Sequence, residues 1–175
     1  MITCFQRTES PVGTLFLAAS DDALQFLGFE HSWMRLRNKV SDISESDNPV
    51  LTNARRQLEE YFKGERRQFS LPVALHGTAF QMAVWRSLSF VPYGTTRTYS
   101  EQAGHLRLPK AVRAVGRANG LNPVCIVLPC HRIVGKSGAL TGYAGGLAAK
   151  QFLLAHEATF NPRLPDETSS RTLGT

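Results

Sequence analysis

Residues 122–135 read NPVCIVLPCHRIVG, an apolar run that stops at Pro129 and delivers a cysteine, a histidine and an arginine in succession. Neighbours on a strand point to opposite faces, so Cys130 and His131 could not share a site within one. Pro129 has no N–H to give a ladder; past it the chain can turn and bring both side chains to one pocket. The expected order is strand, break, reactive group. Three readings of Cys130 compete. A metal site would draw on Cys125, Cys130 and His131, but structural zinc wants four ligands at spacings such as C-x₂₋₄-C, and no second pair exists. An inert buried thiol is the commonest fate of a free cysteine and suits Cys125 and Cys4. A nucleophile must be a thiolate, and Cys130 alone has an imidazole and basic surroundings to lower its pKa. Arg132 serves that end or ties down the loop. A third group should orient the imidazole. Between residues 77 and 157 the only acids are Glu101 and Glu157. Glu157 closes the helical LAAKQFLLAHE after the flexible TGYAGG, from where it could fold back behind His131.

The elements that must position these groups fall into two parts. GTLFLAAS and ALQFLGFE read as two short strands with Asp21–Asp22 as the turn, and SDISESDNP as a polar loop. Leu51, Ala54, Leu58, Tyr61 and Phe62 share one face of a helix that Gly64 ends. QFSLPVALHG is a candidate strand leading into a linker. No chemical motif stands in this half, whose expected role is structural. The second part is mostly helical. Thr78 with Gln81, and Thr98 with Glu101, form capping boxes. Phe80, Ala83, Val84 and Leu88 mark the buried face of the first of these helices. RLP is a tight connection, and Pro109 is expected in the first turn of a helix over KAVRAVGRANG. This pair has helix-turn-helix lengths. Lys110, Arg113 and Arg117, spaced i, i+3, i+7, share one face of the second helix, and Ala111, Ala114, Val115 and Ala118 cover the other. With Gly116 the helix is slim enough to enter a groove of DNA; the alternative is a solvated basic face. Residues past Phe160 are expected to form a loose tail.

With 42% hydrophobic and 19% charged residues, the chain has the profile of a soluble globular protein, long enough for one domain or two small ones. The net charge of +6 is unevenly placed. Residues 1–76 hold nine basic against ten acidic side chains, whereas residues 77–157 hold nine against two. The excess lies on the segment that contains Cys130, which favours a polyanionic partner. No run is long enough to span a membrane, and MITCFQRTES lacks the features of a signal peptide. Three cysteines without framework spacing suit a reducing cytoplasm.

GTAFQMAVW, VPYGTTRTYSEQAG, AVRAVGRANGLNP, VLPCHRIVG, GALTGYAGG and KQFLLAHE, in this order and spacing, resemble the methylated-DNA–protein-cysteine methyltransferases, the 6-O-alkylguanine-DNA alkyltransferases. The likeness runs almost without a break from residue 77 to 157. Any one fragment is weak; PCHR with RAVG, NP and GYAGG together is highly specific. The N-terminal half resembles, more loosely, this family's ribonuclease-H-like domain. The implied fold is α+β in two domains: residues 1–76 a small structural domain, and 77–160 a mostly helical DNA-binding alkyltransferase domain, with 161–175 a flexible tail.

The resemblance implies direct reversal of damage. The alkyl group of 6-O-alkylguanine in double-stranded DNA passes irreversibly, once per molecule, to Cys130, by a monomer without cofactor or metal. Whether alkylated thymine is also a substrate stays open. His131 would act through a water as the base, Glu157 would hold the imidazole, and Tyr99 would neutralise the charge developing on the leaving guanine. Tyr143, Ala144 and the following glycines would wall the pocket, with the Val124 and Cys125 carbonyls as acceptors for the exocyclic amine. Asn122 would brace the turn before the active-site strand. The base must be flipped out, and Arg113 would fill its place. The helix alone suggests the major groove; the resemblance places it in the minor groove, where small residues such as Ala114 and Gly116 permit close approach. Lys110 and Arg117 complete the DNA face, although Arg117 stands where a small residue is commoner. Three rivals fit less well. A non-enzymatic reader of alkylated bases would lack the cysteine, and a redox regulator would need an effector or dimer segment. A cysteine hydrolase would turn over, which a thioether cannot.

Overall fold

In the computed structural model, which describes residues 1–161, the N-terminal half is a four-stranded sheet. Strands β1 (Cys4–Thr8), β2 (Leu15–Ala19) and β3 (Leu24–Phe29) form an antiparallel meander. Short β4 (Ser44–Glu45) lies parallel to β1 on the outer edge, giving the order β3-β2-β1-β4. Side chains alternate across the sheet. Leu15, Leu17, Leu24 and Leu27 face the main core, whereas Ala18 and Phe26 face the other side with Trp33 and Ile43. The polar loop of the sequence reading therefore contains a strand, and β1 and helix α1 (Glu30–Arg37) are additional elements. α1 buries only Trp33, which stacks on Phe16 with centroids 5.4 Å apart. A helix held by one ring has no apolar stripe to read.

Helix α2 (Pro49–Phe62) starts where the Asn48 side chain accepts the Leu51 N–H and Pro49 stands in the first turn. Val50, Leu51, Ala54, Leu58 and Tyr61 pack beneath the sheet. The candidate strand in QFSLPVALHG contracts to a single bridge, Val73 to Leu24, because Pro72 can only accept: its carbonyl takes the Leu24 N–H.

The C-terminal half packs α3 (Ala79–Ser87), α4 (Tyr99–His105) and α5 (Val112–Asn119) around Val84, Trp85, Ala103, Val115 and Ala118. Both expected capping boxes are present. On α3, Ala83 is exposed and Trp85 takes the buried place, donating its indole N–H to the Ala118 carbonyl at 2.8 Å. Pro109 does not open α5. α4 ends with Arg107 in the left-handed region (φ 59°), the Leu108 N–H reaching back to Ala103 and that of Arg107 to Gly104. This closing turn carries the chain through Pro109 and Lys110, and α5 begins only at Val112. Lys110 is thus off the helix, and Ala114 lies on the exposed side with Arg113 and Arg117. A two-stranded parallel ribbon, β5 (Arg97–Thr98) with β6 (Ile133–Val134), joins α4 to the reactive loop. Helix α6 (Gly146–Thr159) closes the fold. Of the expected tail, Asn161 is buried against Gly94, and residues 162–175 lie outside the described residues.

Candidate active site

The run 122–135 is not a strand with a break. Val124 makes a single bridge to Leu27 of β3, with the Leu27 N–H donating to Pro123 and the Cys125 N–H to Leu27. The chain then reverses tightly at Ile126, whose φ of 70° lies in the left-handed region. The Val127 N–H donates to Cys125 and the Leu128 N–H to Val124. The expected acceptors, the Val124 and Cys125 carbonyls, thus each hold one hydrogen bond already and keep a second lone pair. Past Pro129, residues Cys130–Arg132 form one 3₁₀ turn, which puts all three side chains to use at once.

Asn122, expected to brace the turn before the strand, braces this reversal instead. Its Oδ1 accepts the Val124 N–H at 3.0 Å, and its amide donates to the Leu128 carbonyl at 2.8 Å and to Cys130 Sγ at 3.2 Å. Cys130 is 5% exposed. The neighbouring Cys125 thiol holds the Cys130 thiol below its ordinary range against the opposing effect of burial, with the Asn122 amide and the Lys150 charge adding to it. The Cys125 thiol is correspondingly pushed up, by Cys130 beside it and by its own burial. Its Sγ donates to the Asn122 carbonyl at 3.7 Å, so it is tied to the same brace that holds Cys130.

Glu157, expected behind the imidazole, is fully buried and lies there: its Oε1 is 2.7 Å from His131 Nε2. Burial opposes its charge, but hydrogen bonds and charge from His131 and Arg132 outweigh that and hold the carboxyl well below its usual range. A carboxylate only accepts, so Nε2 carries the proton and the lone pair lies on Nδ1. Nδ1 is buried without a partner among the described protein groups. Burial keeps the imidazole pKa below its ordinary value despite Glu157. Of the two roles open to Arg132, the side chain takes that of a tie: Nε and Nη2 grip Glu157 at 2.8 and 3.0 Å, and Nη1 donates to the Val91 carbonyl at 2.6 Å. The Gly94 N–H adds a bond to Glu157 Oε2 at 3.0 Å. Gly94 has φ 69°, and a Cβ there would lie 2.4 Å from the Asn161 amide, so the close approach needs glycine.

Two side chains of this centre escape sequence reasoning. Lys150 is fully buried and donates to the carbonyls of Ile133 and Thr141 at 2.6 and 2.9 Å, with its ammonium 5.8 Å from the centre of the Tyr99 ring. Its signal was present: Lys150, Leu153 and Glu157 stand i, i+3, i+7 on one buried face of α6. Tyr61 of α2 reads as an ordinary core position, yet its hydroxyl donates to Glu157 Oε1 at 2.8 Å. The N-terminal half therefore supplies one hydrogen bond to this centre. With Cys130 as thiolate and His131 neutral, the charges of Cys130, Glu157, Arg132 and Lys150 cancel; a proton on His131 leaves one positive charge, so each buried charge keeps an opposite one nearby.

Beside this centre opens a cleft of about 480 Å³ lined by Tyr99, Arg113, Gly116, Thr141, Tyr143 and Ala144, with the Tyr143 ring edge-on to His131 at 6.4 Å between centroids. Tyr99, Tyr143 and Ala144 also pack against the cluster that contains Cys130. The Tyr99 hydroxyl meets only the Thr141 hydroxyl, at a long 3.4 Å, and the buried Tyr143 hydroxyl has no partner among the described groups. The wall is fixed from below by Phe29 of β3, edge-on to Tyr143 with centroids 5.6 Å apart and so close to Gly145 that a Cβ would lie 2.3 Å away. Arg113 stands at the rim. Lys110, Arg113 and Arg117 are exposed and form no ion pair among the described residues. The described residues hold no group of acids, cysteines and histidines fit for a metal.

The chain is similar to known proteins along most of its length. The ribonuclease-like domain of 6-O-methylguanine DNA methyltransferase matches residues 5–75, and the DNA binding domain of the same family matches 79–159. The methylated-DNA–protein-cysteine methyltransferase of Methanosarcina acetivorans is 44% identical over 86% of this chain and 96% of its own. The constitutive enzyme of Bacillus subtilis is 43% identical over 86% and 92%. In structure, the OGT protein of Mycobacterium tuberculosis, solved in complex with DNA, superposes with a TM-score of 0.82 at 40% identity, covering 92% of this chain and 96% of that one. Two models of one family that match residues 5–75 and 79–159, with relatives 43–44% identical over most of both chains, make this chain a member of the 6-O-methylguanine DNA methyltransferase family.

Proposed function

We propose that this protein repairs 6-O-alkylguanine in double-stranded DNA by moving the alkyl group to Cys130. The observation that carries the reading is the single turn Cys130–His131–Arg132, locked on the Glu157 carboxylate beside a cleft of about 480 Å³. The Cys130 proton passes through a water to His131 Nδ1, and Glu157 stabilises the resulting imidazolium. The thiolate attacks the alkyl carbon as the bond to the guanine oxygen breaks. The guanine leaves as an anion and is neutralised by the Tyr99 hydroxyl. Sulfur ends as a thioether, which water does not cleave, so each molecule reacts once.

Because the thiol is buried, the base must leave the duplex to reach it. Arg113, at the rim and unpaired, fills the vacated space; Ala114 and Gly116 let α5 approach the minor groove, and Lys110 and Arg117 meet phosphates. Tyr143 and Ala144 wall the base, and the free lone pairs of the Val124 and Cys125 carbonyls accept its amine. The division of labour falls between residues 1–76 and 77–160, and the protein works as a cytoplasmic monomer. Incubation with a duplex carrying 6-O-methylguanine, followed by peptide mass spectrometry, tests the reading. The expected result is a gain of one methyl on the peptide containing Cys130, once per molecule. Multiple turnover, or methyl on another residue, overturns it.

A further inference from the structure

The relay receives one atom from the N-terminal half. Glu157 Oε1 is shared by three donors: His131 Nε2 at 2.7 Å, the Tyr61 hydroxyl at 2.8 Å and Arg132 Nη2 at 3.0 Å. Burial, reinforced by the Glu157 charge, pushes the Tyr61 phenol well above its ordinary range, so it keeps its proton and donates. Tyr61 has no freedom to leave. Its ring lies among Phe62, Phe69, Tyr93 and His156, and its carbonyl is 2.7 Å from His156 Nε2, one residue before Glu157. α2 and α6 are thus clamped together at the point where the carboxylate is held.

We propose that Tyr61 is a positioning residue for alkyl transfer, acting through Glu157 Oε1 on His131 and so making the N-terminal domain part of the reaction. This rests on the relay described above. A carboxylate oxygen has about two lone pairs. With three donors on Oε1, Tyr61 and Arg132 draw density away from the His131 N–H. Without the Tyr61 hydroxyl, the carboxylate charge concentrates on His131 and stabilises the imidazolium before the reaction starts. An imidazole already protonated cannot take the proton of Cys130. The other groups facing His131 stay in place: Lys150 from α6, Arg132 and Cys130 beside it, and Tyr143 from the loop before α6.

The test compares Tyr61→Phe, Tyr93→Phe and Glu157→Gln in the full chain. Tyr93→Phe is the control, because it removes a buried hydroxyl of the same aromatic cluster that has no partner among the described groups. Single-turnover rates on a 6-O-methylguanine duplex are measured across the range in which imidazole titrates, with DNA affinity and melting temperature alongside. In Tyr61→Phe the acid limb should move up by about half a pH unit, a roughly threefold rise in the proton affinity of the imidazole. Transfer should be about threefold slower below the limb and reach the parent rate above it, with DNA affinity unchanged. Tyr93→Phe should leave the limb where it is. A rate lowered equally at every pH, or only a lower melting temperature, would make Tyr61 merely structural and overturn the proposal. If the limb stays put while Glu157→Gln is slow, the proposal falls and the relay stands. Undiminished transfer by Glu157→Gln overturns both.

Discussion

Replacing Glu157 by Gln turns one buried oxygen into an NH₂ group in a place that presents only donors: His131 Nε2, Arg132 Nε and Nη2, the Tyr61 hydroxyl and the Gly94 N–H. Of these only His131 and the Tyr61 hydroxyl can turn from donor to acceptor. The cheapest relief is at His131, which can move its proton to Nδ1 and accept from the amide at Nε2. That tautomer has no lone pair on the side of the base, and the imidazolium has lost its counter-charge. General acid–base catalysis is worth about 10²–10⁴ in rate, and a loss of that order is expected. Stability also suffers, because Arg132 is left buried without its counter-charge, at a cost of about 3–5 kcal/mol. At about 2–4 °C per kcal/mol the melting temperature should fall by roughly 10 °C. Rates are therefore taken well below melting, by quenched single-turnover transfer with DNA affinity measured in parallel. The pH dependence checks the charge separately. The Glu157 carboxyl titrates lower folded than unfolded, so its contribution is complete above the unfolded value of about 4.3 and is lost as pH falls toward the folded one. The gap in melting temperature between parent and variant should close on acidification through that window. A folded variant that transfers within about threefold of the parent refutes the relay, and equal losses in rate and DNA affinity point to misfolding instead.

Lys150→Met should slow transfer at neutral pH and restore it at higher pH. The Asn122 hydrogen bond to Cys130 and the Cys125 thiol beside it remain, but the thiolate loses a buried positive charge and its pKa rises. Arg113→Ala should react slowly with alkylated duplex yet nearly normally with the free alkylguanine base, which needs no flipping, and Arg113→Lys should recover only part of the duplex rate. Full recovery by Lys would reduce Arg113 to a phosphate contact. Each phosphate contact removed should flatten the salt dependence of DNA affinity by about one unit of slope, so Lys110→Ala and Arg117→Ala are each measured in a salt titration. Slopes equal to the parent's would return both residues to a solvated face.

Local signals carried part of this protein and tertiary packing the rest. The two capping boxes, the Pro49–Phe62 helix and the strand pair around Asp21–Asp22 were legible because each is decided by side chains a few residues apart. The Cys130–His131 pair was legible for the same reason. So was Glu157, through its place as one of two acids in a basic segment, although its partners lie far off in the chain. Sequence spacing failed where geometry depends on what a segment leans against. α1 exists because one Trp33 ring covers the back of a sheet. Lys110 left the basic stripe because a left-handed Arg107 closed α4 and postponed the next helix to Val112. The strand expected before Pro129 became a bridge and a reversal because β3 offered it only Leu27. The largest share of the site decided by the fold alone is its charge balance. Tyr61, 96 residues from Glu157, and Lys150, which reads as an interruption of an apolar helix, gain meaning only when burial removes water and leaves each charge to the groups around it. Residue types and short spacings determined which chemistry this chain could do; desolvation, which no local pattern encodes, decided which side chains tune it.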